Sequence, residues 1–109
     1  MKPHVPDLSP LQYLVLGLLL GEQRPGRELR SEAETFGVRR TRAAFYQLMA
    51  RLERDGLVEG WYESVRADDQ NVTERHYRIT APGRRAWKAA RVFHTAVDRL
   101  ALGSEESHA

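Results

Sequence analysis

At 109 residues the chain can hold one domain but not two. Its 41% hydrophobic and 29% charged residues suit a packed core under a solvated surface and exclude a disordered chain, and the lack of cysteine excludes disulfides, thiolate zinc sites and iron–sulfur clusters. The net charge is only +2 and the isoelectric point about 9.3, yet of 17 basic residues two are lysine and 15 arginine. Arginine's planar fork suits phosphates and guanine edges, although genomic base composition alone can produce the same excess.

Met1 to Leu8 reads as a loose arm. Ser9-Pro10 then starts a helix, with serine as cap and proline at the first helical position. Helix 1 is expected from about Pro10 to Leu20 and is apolar on most sides, so it must lie between two partners. Its apolar run of ten residues cannot span a bilayer, which needs about 20, and no small-residue cleavage site follows it. Gly21 to Pro25 reads as a turn. Helix 2 covers Gly26 to Phe36, with Gly37 as a left-handed stop.

Thr41 caps helix 3, which runs to about Arg54. Phe45, Leu48, Met49 and Leu52 share one face of it. The opposite face carries Ala43, Gln47, Ala50 and Arg54, flanked by Tyr46 and Arg51. Strands are expected at 57–65 and 72–80 around a polar turn, Arg66 to Asn71. Thr80 caps a last helix from Gly83 to about Leu102, and 103–109 reads as a flexible tail.

The fold class is therefore mainly α with a small β-hairpin. It is a winged helix-turn-helix over 1–82, with a C-terminal dimerisation helix over 83–102 packed on the same domain. In this architecture the start of the second helix of the pair reads base edges. The expected DNA contacts are Arg42 to guanine, Gln47 to adenine, Tyr46 to phosphate, and Arg39 and Arg40 to phosphate just before the helix. Arg75 in the wing is the expected backbone anchor, while Asp68 and Asp69 make the wing tip acidic. Helix 3 could instead simply show solvent its polar side.

Ala86, Ala90, Phe93, Val97 and Leu100 are spaced 4, 3, 4 and 3 apart, the heptad spacing of a helix seam. The seam can meet a second copy of the chain, helix 1 of the same chain, or both.

Three stretches carry a family resemblance. They are the segment from Leu8 to Leu19, the segment from Phe45 to Leu57, and Tyr77-Arg78-Ile79-Thr80-Ala81-Pro82-Gly83. Together they resemble the PadR family of transcriptional regulators over about Leu8 to Leu100. The resemblance implies a winged-helix homodimer on palindromic operators, a repressor often released by small molecules. It also implies that planar aromatic compounds can sit between aromatic side chains at the dimer interface, for which Tyr13, Trp87 and Phe93 are the candidates. Pro25-Gly26-Arg27 departs from the family habit of an aromatic residue beside that glycine.

No metal, cofactor or catalytic set is expected. His4, His76, His94 and His108 are scattered, and neither a nucleophile elbow nor a phosphate loop is present. The chain reads as a cytoplasmic regulator, not an enzyme, with double-stranded DNA and its own copy as partners and no membrane. The alternative is a winged helix that binds protein and not specific DNA.

Overall fold

The computed structural model describes residues 7–107; the first six residues of the expected arm and the last two of the expected tail lie outside it. The element order is α1 (Pro10–Leu18), β1 (Arg24–Pro25), α2 (Gly26–Thr35), α3 (Arg42–Arg54), β2 (Val58–Ala67), β3 (Gln70–Ile79) and α4 (Ala81–Ser107). The helices expected from periodicity are all present.

Their ends follow from local chemistry. The Ser9 hydroxyl accepts from the Gln12 N–H while the Ser9 N–H donates to the Gln12 side chain, a reciprocal cap in front of Pro10. α2 and α3 end alike. Gly37 (φ 85°) donates to the Glu34 carbonyl and Val38 to that of Ala33. Gly56 (φ 74°) donates to Glu53 and Leu57 to Leu52. Both glycines adopt the left-handed backbone that lets a chain leave a helix with its last carbonyls satisfied.

Several boundaries differ from expectation: the hairpin strands extend to Ala67 and from Gln70, so the expected turn over Arg66 to Asn71 shrinks to Asp68 and Asp69, and the last helix starts at Ala81. α1 stops at Leu18 because the chain is already turning, and Arg24 supplies a guanidinium N–H to the Leu18 carbonyl at 2.9 Å. The segment expected as a plain turn contains β1, whose Arg24 and Pro25 pair with Tyr77 and His76 of β3. α4 continues past Leu102 to Ser107, so the expected tail is helical over 103–107. A lone glycine at 103 costs a helix only about 1 kcal/mol, and no proline follows to stop it.

The sheet has the order β1-β3-β2 and is antiparallel, and β2 pairs with β3 from Val58–Ile79 to Ala67–Gln70. Asp68 and Asp69, at φ 51° and 60°, form the two-residue turn at its tip. α1 is the centre of the core, as its all-round apolarity requires. Leu11, Val15, Leu16 and Leu19 are buried against Leu29 and Ala33 of α2, Phe45, Met49 and Leu52 of α3, and Val58, Tyr77 and Ile79 at the base of the sheet. α4 packs on α1 through its first three turns. Ala90 is buried there and Ala86 half-buried, whereas every residue from Arg91 to Ser104 is exposed.

Candidate nucleic-acid interface

α3 has the two faces its sequence implies. Phe45, Met49 and Leu52 are buried, while Ala43, Gln47, Ala50, Arg51 and Arg54 are exposed. Thr41 caps the helix by accepting from the Ala44 N–H at 3.1 Å, so the reading end begins at Arg42. Arg39 and Arg40 stand exposed just before it. The Arg40 carbonyl accepts from Arg30 of α2, which ties the connector to the preceding helix.

The wing rises beside α3 and leaves a groove of about 950 Å³ between α2, α3 and the sheet. Arg27, Arg30, Arg42 and Arg75 reach this groove together with Tyr46 and Tyr62. Glu34, Glu53 and Glu74 share its wall, so the charge is positive only in part.

Two expected contacts have other work inside the protein. The Tyr46 hydroxyl lies against Gly26, where a β-carbon would come within 2.7 Å of it. The ring props α3 against the start of α2, which accounts for glycine at that place without an aromatic neighbour. Arg75 is held by Glu53 of α3 and lies over the Tyr62 ring at 4.6 Å. Burial works to lower its pKa, but the hydrogen bond and charge of Glu53 outweigh that and hold the guanidinium more firmly protonated. Arg75 thus joins the wing to α3, and its donors do not project freely toward solvent.

Glu53, Arg27 and Gly60 were not expected among the functional residues. Arg27 pairs with Glu74 of β3, and that hydrogen bond raises its pKa. A β-carbon on Gly60 would lie 2.5 Å from the Glu53 carboxylate and 2.9 Å from Arg75. A glycine inside a strand was the available signal, since it commonly marks close approach by another group.

The expected dimer seam divides at Ala90. Within its own chain Ala90 is buried and Ala86 half-buried, while Phe93, Val97 and Leu100 are 44, 45 and 73% exposed. Of the expected ligand pocket, Tyr13 and Trp87 are stacked on each other at 5.5 Å and 7°. Phe93 reaches them only through His94, which contacts Tyr13 edge-on. The Trp87 indole N–H is buried without an acceptor among the described residues, and its nitrogen lies 3.1 Å from where a β-carbon on Gly17 would sit.

Three helices, a two-stranded wing and a long closing helix define a winged helix-turn-helix. The profile described as "Transcriptional regulator PadR-like family" matches residues 15–89, and the chain belongs to that family. The family is one of transcriptional regulators. No curated protein matches the chain.

Among solved structures, a PadR family transcriptional regulator from Eggerthella lenta is 26% identical, with 87% of this chain and 81% of that one covered, at a TM-score of 0.68. A PadR family regulator from Clostridium difficile is 13% identical, with 84% and 94% covered, at 0.73. Bacillus subtilis PadR in complex with operator DNA is 17% identical, with 73% and 46% covered, at 0.62. The last two establish likeness of fold. Among the described residues no helix is long and apolar enough to cross a membrane.

Proposed function

We propose that the protein is a sequence-specific DNA-binding repressor that acts as a homodimer on two-fold symmetric operators. The carrying observation is how its arginines are distributed. Arg24, Arg27, Arg75 and Arg78 each hold a carboxylate. Arg39, Arg40 and Arg42 have no carboxylate partner among the described residues and stand exposed at the reading end of α3. Long cationic forks not held in an ion pair, next to the exposed amide of Gln47, suit phosphates and base edges. The likeness of fold to a PadR crystallised with operator DNA supports the reading.

In this reading Arg42 and Gln47 read bases, and Arg39 and Arg40 hold phosphates. The phenol of Tyr46 and the guanidinium of Arg75 serve mainly to shape the surface. A DNA partner makes the protein cytoplasmic. Retention of random-sequence duplex at two salt concentrations tests the reading. Affinity should fall with salt at a logarithmic slope of about −0.9 per phosphate neutralised. A winged helix built for protein contact would retain no duplex even at low salt.

The dimer is proposed from α4, whose 27 residues measure about 40 Å at 1.5 Å per residue. Along it Phe93, Val97 and Leu100 form one row that stays exposed among the described residues. A second copy of the same helix is an occupant of matching length and periodicity. An effector site at Tyr13, Trp87 and Phe93 belongs to the same proposal. A planar aromatic compound bearing an acceptor could enter by parting the Tyr13–Trp87 stack and satisfying the indole N–H. Titration of such compounds against tryptophan fluorescence, with Trp61→Phe to isolate Trp87, tests it. Operator DNA should lower the compound's affinity by the factor by which the compound lowers the DNA's.

A further inference from the structure

We propose that Glu53 is a positioning residue for operator binding: acting through Arg75, it fixes the angle between the wing and the reading helix. The proposal rests on the DNA-binding reading above and deepens it. The wing is a lever. β2 and β3 are ten residues each, and only their base is buried in the core. From Gly60 to Ala67 is about 23 Å at roughly 3.3 Å per residue, so a tilt of about 10° at the base moves the tip about 4 Å. A phosphate contact does not survive such a shift.

Two ties oppose that tilt. Arg75 joins β3 to Glu53 of α3, and Glu74 joins β3 to Arg27 of α2. Both pairs line the groove between α2, α3 and the sheet, so the wing is tied to two different helices at neighbouring positions of β3. The first tie is a built contact. Both partners are about three-quarters buried, the guanidinium lies over Tyr62, and the strand opposite carries glycine where a methyl group would strike both ends of the pair.

The sign of the charge separates positioning from plain electrostatics. Glu53 is an acid on the helix that meets DNA, so its removal should strengthen binding to any duplex if charge alone matters. If Glu53 positions the wing, its removal should weaken binding to the preferred site in particular. Gly60→Ala separates the same pair with no change of charge.

The test compares the parent, Glu53→Gln and Gly60→Ala on an operator selected from a randomised pool and on random duplex. The chain has no cysteine, so nitroxide labels on Thr35→Cys and Ala67→Cys can report the distance from α2 to the wing tip. Both variants should lower the operator-to-random affinity ratio roughly fivefold or more, with random-duplex affinity unchanged or raised in Glu53→Gln. The label distance should broaden in the DNA-free protein. If Gly60→Ala does not fold, Glu53→Gln decides alone. An unchanged ratio or an unchanged distance in Glu53→Gln overturns the proposal. Absence of any operator preference in the parent would instead contradict the DNA-binding reading, and the label distance would still report whether the tie holds the wing.

Discussion

Tyr77 is buried beneath the wing, and that burial, with the negative charge of Glu53 nearby, pushes its phenol up to about 12 from the usual 10. The folded state therefore holds the phenolic proton more tightly than the unfolded state does. The resulting stability, about 2 to 3 kcal/mol, is fully present below pH 10 and disappears as pH rises through 12. The thermal midpoint should fall steeply over that window, and Tyr77→Phe should flatten the fall; parallel curves for the two proteins would contradict this. Gly83 has a separate role. A β-carbon there would lie 2.1 Å from the Leu57 carbonyl, which is backbone and cannot step aside. Gly83→Ala should cost about 2 to 4 kcal/mol by denaturant titration, with DNA contacts untouched. Neither role was legible in the sequence. Gly83 reads there as a helix start, and Arg75 as a phosphate anchor, because Glu53 lies 22 residues away and only the fold brings it near.

Elements defined by their own periodicity and caps were legible: α2 and α3 end at the glycines that their left-handed stops require. β1 was not, since two residues carry no alternation and form a strand only because β3 offers an edge at Tyr77 and His76. The wing turn is a weak point of its hairpin. Asp68 and Asp69 both occupy left-handed backbone, which aspartate tolerates at a cost and glycine adopts freely. Asp69→Gly should raise stability by about 0.5 to 1 kcal/mol, read from the denaturation midpoint. It should also raise affinity for all duplexes alike, because an acid leaves the tip. A loss of stability would mean that the Asp69 side chain holds the turn.

The extents of 61 × 34 × 23 Å record a helix that runs well beyond its own domain. The heptad row was legible in the sequence. Where it changes from intrachain packing to exposure was not, because that depends on how far α1 reaches along α4. Phe93→Glu with Val97→Glu should give monomers by sedimentation with the core intact, and should weaken operator binding far more than random-duplex binding. A double variant that stays dimeric would move the interface elsewhere. The proposed reading of DNA sequence by the start of α3 can be checked residue by residue. The most direct measurement is the affinity of Arg42→Ala and of Gln47→Ala for the selected operator and for random duplex, at one salt concentration. Each should lose about 1 to 3 kcal/mol on the operator, relax preference at one position of each half-site, and lose little on random DNA. Equal losses on both duplexes would contradict the reading role and leave α3 as a phosphate anchor.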